Sequence, residues 1–224
     1  MKHKRPQMRH YVRLLTSISL LGTIALVTLS AAQSPAALII VSPNAVHTMQ
    51  PGQAVAISVH VASGTYPSGV GVVGDGPLGL AGPNPIVGST VSLTLTAPAN
   101  TPPGPYQVTA IASDSTGALV SSNPITLDVE RADIPTALLA YPPAVGVQFY
   151  VGNTLSLTVV GIFPSKQKVD LTRSTKLIFT SENTGVAVVQ NGVLSAVGVG
   201  QTNIDVQYGS ITAKISVTVP AGAH

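Results

Sequence analysis

Apolar and polar residues alternate along much of the C-terminal half of the chain. From Ile211 to Val219 every second residue is apolar, and the positions between them hold Thr, Lys or Ser. A period of two is typical of a β-strand with one face on a hydrophobic core and the other in water. Ile204 and Val206 share one face of a preceding strand in the same way. Between these strands, Tyr208-Gly209-Ser210 predicts a turn.

The dipeptide Asn191-Gly192 divides two further apolar runs. Asn and Gly tolerate the positive φ that two-residue hairpin turns require, so this dipeptide predicts a hairpin. Gly198 and Gly200 then interrupt the chain before the strand around Ile204. The segment from 191 to 204 therefore predicts a strand, a turn bounded by glycines and another strand.

The first half of the chain shows the same alternation in shorter runs. Charged residues make up only 8% of the sequence, but Val, Ile and Thr are abundant among 21 Gly and 18 Pro. Disordered chains lack such β-branched residues, so the composition favours an ordered all-β fold. The predicted strand faces are Val55, Ile57, Val59 and Val61, then Val91, Leu93 and Leu95, followed by strands over 106–111 and 125–129.

The sequence repeats itself at an offset of 100 positions. The repeat spans a first strand, a Pro-marked bend, a Gly turn and a core strand, and about 100 residues is the size of one β-sandwich domain. Two domains therefore fit better than a solenoid, whose repeats are shorter. The matching positions are Ala37-Leu38-Ile39 with Ala137-Leu138-Leu139, Pro43 with Pro143, Gly52 with Gly152, and Val55-x-Ile57-x-Val59 with Leu155-x-Leu157-x-Val159.

Further elements follow one another in a fixed order through the second copy. They are Val151-Gly152, Leu155-x-Leu157-x-Val159, Val169-Asp170-Leu171-Thr172, Phe179-Thr180-Ser181-Glu182-Asn183, Val186-Ala187-Val188-Val189, the run 191–200 and Thr202-x-Ile204. Over about residues 135–219 this order resembles the bacterial immunoglobulin-like domain of group 2, the module repeated in intimin- and invasin-like adhesins. Phe179 stands where that family often has Trp. The resemblance implies a β-sandwich scaffold that serves many roles.

The first copy resembles a generic bacterial immunoglobulin-like sandwich. Gly104-x-Tyr106 enters a late strand as the tyrosine corner of such folds does, where the Tyr hydroxyl bonds nearby backbone. We therefore predict an all-β chain of two tandem immunoglobulin-like β-sandwiches behind an N-terminal signal peptide. The predicted limits are 1–32 for the signal peptide, 35–130 for the first sandwich, 131–134 for a solvated, hinge-like linker and 135–220 for the second sandwich.

The first 32 residues have the order of a secretory signal. An apolar run of about 16 residues, from Leu14 to Leu29, precedes the small residues Ser30-Ala31-Ala32. An uncleaved membrane anchor is the alternative, although a span usually needs about 20 residues. Cleavage would leave six Lys and Arg against eight Asp and Glu, so no basic surface for nucleic acid remains. Five cations precede the apolar run: Lys2, Lys4, Arg5, Arg9 and Arg13.

One loop is the candidate partner contact. The Gly- and Pro-rich segment 75–88 carries Leu78, Leu80 and Ile86, which either form an exposed apolar contact or fold back onto the sandwich. Gly69-Val70-Gly71-Val72-Val73-Gly74 matches the dinucleotide-binding fingerprint in letters, but no helical pattern follows it, so a Gly-rich strand is the better interpretation.

Other polar clusters have an ordinary explanation beside a functional one. Asp128, Glu130 and Asp133, with Asp114, suggest calcium or simply a solvated linker. The cations Lys166, Lys168, Arg173 and Lys176 around Asp170 suggest an acidic polymer or a solubility feature. His47 and His60 show no metal-ligand or catalytic spacing, the chain has no Cys or Trp, and the few Tyr and Phe residues fit core positions better than a sugar-stacking platform.

The sequence therefore predicts no catalytic, cofactor or metal residues and favours a non-enzymatic protein. We expect an exported binding or adhesion module at the bacterial cell envelope, in the periplasm, on the surface or secreted. Its partner would be a protein or another envelope component, without nucleic acid and without a membrane span after signal cleavage. The alternative is a structural spacer or accessory domain pair with no ligand of its own.

Overall fold

The computed structural model describes residues 37–146 and 148–222. These residues belong to one compact unit of the chain. The predicted signal peptide lies outside the described residues. Within the part that is described, the regular structure consists of strands and a single turn of 3₁₀ helix, Gly76–Leu78. The predicted all-β fold is confirmed, and the strands form immunoglobulin-like sandwiches as predicted.

The N-terminal sandwich has two facing sheets. One sheet has the order β1-β3-β6, and the other has the order β2-β9-β7-β4-β5, with β8 on part of β7. Strand β2 pairs with β9 in parallel, whereas the other pairs in these sheets are antiparallel. The strands are β1 (Leu38–Ser42), β2 (Val46–Met49), β3 (Ala54–Val61), β4 (Val70–Gly74), β5 (Gly79–Asn84), β6 (Thr90–Thr96), β7 (Gly104–Ser113), β8 (Leu119–Ser121) and β9 (Ile125–Val129).

The C-terminal sandwich is built from shorter sheets. Their orders are β10-β13-β14, β12-β17-β16 and β11-β19-β18-β15, and β11 pairs with β19 in parallel. The strands are β10 (Ala137–Tyr141), β11 (Ala144–Val145), β12 (Thr154–Ser156), β13 (Thr158–Ile162), β14 (Lys168–Asp170), β15 (Leu177–Ser181), β16 (Ala187–Gln190), β17 (Val193–Ala196), β18 (Gly200–Tyr208) and β19 (Ile211–Val219).

Each sandwich buries its own hydrophobic core. The first core draws its buried residues from Leu38 to Val129 and the second from Leu138 to Val219. The alternation read from the sequence explains them, since Ile57, Val59 and Leu93 are at most 2% exposed. Burying a Val, Leu or Ile side chain contributes about 1.5–3 kcal/mol. The predicted domain limits themselves stay a prediction.

The internal repeat appears in the structure as the same turn made twice. Gly52 and Gly152 have φ values of 85° and 89°, which favour glycine. Gly52 N donates to Ala97 O at 2.8 Å, and Gly152 N donates to Ala196 O at 2.9 Å. The shared sequence at these positions thus folds into the same link between neighbouring strands in both copies.

The two sandwiches differ at one sheet edge. In the first, β5 follows β4 and pairs with it in the same sheet. In the second, the strand that corresponds to β4 is β15, and the chain passes from it to β16 in a different sheet. Strand β15 therefore pairs with β18 on one side and ends its sheet on the other. The hairpin predicted at Asn191-Gly192 joins β16 to β17, with φ values of 51° and 75° at its two turn residues.

Candidate functional site

The three residues of the predicted partner contact lie in different surroundings. Leu78 is only 5% exposed and packs in the first core, because the 3₁₀ turn directs the chain back onto the sandwich. Ile86 is half-buried against the same core. Leu80 on β5 is 62% exposed. The structure thus leaves Leu80 as the one of the three that faces solvent, and partner binding at this loop stays a prediction.

Leu80 belongs to an apolar patch on the outer face of the sheet, which sequence reasoning missed. Val73 pairs directly with Leu80 across β4 and β5 and is 38% exposed. On the same face, Gly71 pairs with the half-buried Ile111 of β7. A Cβ added at Gly71 would lie 3.6 Å from Leu80 Cδ1, so Leu80 covers that glycine. We name Leu80, Val73, Gly71 and Ile111 the outer apolar patch; period-two counting along β4 and β7 could have found it.

The junction between the sandwiches is built around Glu130, which directly follows β9. The sequence predicted a solvated linker here, but Glu130 is only 3% exposed, so that prediction is wrong for this residue. Ser174 Oγ lies 2.8 Å from both carboxylate oxygens, and Thr175 N donates to Oε1 at 2.8 Å. Ser174 and Thr175 belong to the other sandwich. A buried carboxylate requires such donors because burial without partners is costly.

Further contacts cross the same junction. Thr175 Oγ1 donates to Asp128 Oδ2 at 2.8 Å, and Lys176 Nζ donates to Arg131 O at 2.5 Å. The Arg173 guanidinium donates to Pro105 O at 2.6 Å. A Cβ at Gly104, where φ is 139°, would lie 2.7 Å from Arg173 O, so this close approach requires glycine. These contacts are unlike those of a free hinge.

The predicted cation cluster is therefore divided. Arg173 lies 5.0 Å from the Tyr106 ring centroid and Lys176 lies 6.0 Å from that of Tyr208, so both are used at the junction. Lys166 and Lys168 are exposed and lie on either side of the turn into β14. Asp170 accepts hydrogen bonds from Thr172 N at 2.9 Å and from Thr172 Oγ1 at 2.5 Å. The structure does not gather these cations into one anion-binding face.

Arg131 and Asp133 form an ion pair at the start of the second sandwich. Arg131 Nε lies 2.8 Å from Asp133 Oδ1, and its guanidinium lies 4.4 Å from the Phe163 ring centroid. The hydrogen bond from Arg131 lowers the pKa of Asp133 below its usual range, and the same bond raises the pKa of Arg131. Asp133 is thereby paired within the junction itself.

Two tyrosines flank the junction. Tyr106 Oη donates to Pro102 O at 2.6 Å, which confirms the predicted tyrosine corner. Burial raises the pKa of Tyr106, and the nearby charge of Arg173 opposes that rise. Burial also raises the pKa of Tyr208, and the negative charge of Glu130 raises it further. Both phenols therefore stay protonated to higher pH than free tyrosine.

The remaining candidate groups stay apart. Within 37–146 and 148–222, no cluster of three or more His, Asp or Glu side chains could hold a metal ion. Asp114 accepts bonds from Thr116 and Ala118 in its own turn, and these bonds lower its pKa. His47 lies on β2 and His60 on β3, in different sheets. The fingerprint 69–74 forms β4 and is followed by three residues of 3₁₀ helix rather than a helix that could face a phosphate.

Comparison with known proteins adds similarity to solved β modules. No protein-family model and no curated protein match the chain. The fibronectin(III)-like modules of Clostridium thermocellum CbhA are 19% identical, with a TM-score of 0.34, over 84% of this chain and 98% of that one. Domains 4 and 5 of the S-layer protein SbsC are 19% identical, with a TM-score of 0.34, over 57% and 69%. Domains 5–6 of SbsC are 15% identical, with a TM-score of 0.30, over 81% and 97%.

No helix in the described part of the chain has the length and apolar character needed to cross a membrane.

Proposed function

We propose that this chain is an exported, non-enzymatic binding or adhesion module of the bacterial cell envelope. The outer apolar patch carries the proposal. Leu80 and Val73 lie side by side on an outward sheet face, where a strand usually presents polar residues. A rigid sandwich that displays such a face suits a protein or another envelope component as its partner.

Export and family membership are parts of the same proposal. Export is supported by the basic, apolar and small-residue order of residues 1–32. The resemblance over residues 135–219 supports assignment of the second sandwich to the group 2 bacterial immunoglobulin-like domains. The hairpin at Asn191-Gly192 and the strand Ile211–Val219 are consistent with that assignment.

The binding proposal is tested by capture from a cell-envelope extract with three forms of the chain. Leu80→Asp places a charge in the outer apolar patch, and Val46→Asp places one at a 66% exposed position on β2 in the same sandwich. We expect the unaltered chain and Val46→Asp to retain one component that Leu80→Asp loses. Equal recovery by all three forms would reject the patch as the contact.

The junction favours a second candidate, a spacer without a ligand of its own. Glu130 and its donors Ser174 and Thr175 fix the two sandwiches against each other, as a spacer of constant length requires. For a spacer, Leu80→Asp would leave every measured property of the chain unchanged, whereas Glu130→Ala would broaden the distribution of inter-sandwich distances. Distances between spin labels, one on each sandwich, would measure this difference.

A further inference from the structure

The free edge of β15 carries an inference that is independent of the proposed function. The first sandwich covers the edge of β4 with its own antiparallel strand, β5. The corresponding strand of the second sandwich, β15, pairs with β18 alone. The molecule therefore shows what fits at this position, an antiparallel strand, and supplies that strand only once.

The register shows which backbone groups are available on β15. Glu182 N donates to Asn203 O at 3.0 Å, so alternate residues on either side of that pair point their backbone groups toward β18. Thr180 and Ile178 belong to that set. Leu177, Phe179 and Ser181 therefore direct their N–H and C=O groups outward, although Leu177 N already donates to Ser174 O at 3.2 Å.

The surroundings of this edge add apolar surface. Ile178 is 55% exposed, and β15 carries no charge and no proline over Leu177–Ser181. A cleft of about 460 Å³ lies along the strand, with the half-buried Leu177 and Phe179 on one wall and Asn191-Gly192 on another. An uncharged edge with exposed apolar residues is what proteins usually avoid unless a strand pairs there.

Other edges of the molecule are better protected. Strand β14 carries Lys168 and Asp170, and β5 contains Pro83, which has no N–H to offer. On β6, Ser92 O already accepts a bond from Asn84 Nδ2 at 2.9 Å, and the outward side chains are Thr and Ser. Among these edges, β15 combines free backbone groups with exposed apolar side chains.

We propose that β15 pairs in an antiparallel manner with β15 of a second copy of this chain, around a two-fold axis at Phe179. This register places Leu177 opposite Ser181 and Phe179 opposite itself, so the outward backbone groups face one another. It also places Lys176 of each copy opposite Glu182 of the other, one pair of opposite charges at each end. Because the strand is short, the dimer is weak and forms only at high protein concentration.

The test is sedimentation velocity of the full chain over about a hundredfold range of concentration. Ser181→Pro removes an outward N–H and keeps the ladder to β18, and Thr94→Pro does the same on β6, where the even-numbered residues point outward. We expect Ser181→Pro to weaken self-association at least about tenfold, and Thr94→Pro to leave it unchanged. Circular dichroism shows that both variants are folded.

A second set of variants tests the register and does not depend on proline. Lys176→Glu and Glu182→Lys should each weaken self-association, and the double variant should restore it, because only the antiparallel register exchanges these two charges. If Ser181→Pro fails to fold, Ile178→Lys at the exposed face takes its place. A monomer at every concentration, equal loss with Thr94→Pro, or no recovery in the double variant would each overturn the proposal.

Discussion

Replacement of Glu130 by alanine tests whether the two sandwiches are held together by one buried carboxylate. The substitution removes the acceptor for Ser174 Oγ and Thr175 N, both at 2.8 Å, at a position that is 3% exposed. Each donor left without a partner in a buried position costs about 1–3 kcal/mol. Since removal of a buried charge also relieves its desolvation, we expect a net loss of about 2–4 kcal/mol.

Thermal unfolding followed by calorimetry measures this loss. For a chain of this length, about 2–4 °C are lost for each kcal/mol, so the midpoint of Glu130→Ala should fall by about 4–16 °C. Because the junction couples the sandwiches, the single transition expected of the unaltered chain should separate into two in the variant. Glu130→Gln keeps the shape and one acceptor oxygen, so it should lie between the two.

A matched control separates the junction from carboxylate loss in general. Glu182 accepts bonds from Lys214 and from Asn203, but it lies exposed within one sandwich. Glu182→Ala should therefore leave the midpoint nearly unchanged, because exposed ion pairs are screened by water. An unchanged midpoint and a single transition in Glu130→Ala would refute the reasoning, as would an equal loss in both variants.

Three further predictions concern titration and packing. Because the pKa of Tyr208 is raised, the protonated phenol favours the fold; its stability contribution is complete below about pH 10 and is lost as pH rises through the folded pKa. Glu130→Gln should shift the phenolate absorbance of Tyr208 to lower pH, and an unshifted curve would contradict this. Because the pKa of Asp133 is lowered by Arg131, its contribution is present above about pH 4 and lost below it; as the pair is partly exposed, Asp133→Asn should cost less than about 1 kcal/mol in urea unfolding at neutral pH. Gly74→Ala would place a Cβ 2.6 Å from Leu78 Cβ and should destabilise by about 1–3 kcal/mol in the same assay, whereas Gly146→Ala, 3.7 Å from Thr218 Cβ, should have little effect; equal losses would contradict the packing argument.

The strands of this fold are largely predictable because alternation and turn residues are local signals. The alternation from Ile211 to Val219 coincides with β19, and Asn191-Gly192 forms the predicted hairpin. The hydroxyl of Tyr106 makes the predicted bond to backbone four residues upstream. In each case the information lies within about ten residues of the element, so no knowledge of the partner sheet is required.

The candidate site was less predictable because its residues are brought together by contacts between distant segments. Alternation along β9 assigns Glu130 to the solvent side, and it becomes buried only because Ser174 and Thr175 cover it from the other sandwich. Leu78 reads as part of an exposed loop, but one 3₁₀ turn directs it into the core. Leu80 remains exposed since it lies on the outer face of the next strand.

The parallel pairs β2–β9 and β11–β19 determine how this molecule would carry mechanical load. Each joins a strand near the beginning of a sandwich to one at its end, so a pull along the chain loads all its bonds in shear at once. The first pair extends over four residues, from Val46 opposite Thr126 to Met49 opposite Val129. The second extends over only two, Ala144 and Val145. Under tension, the C-terminal sandwich would therefore open first, while its neighbour keeps its shape.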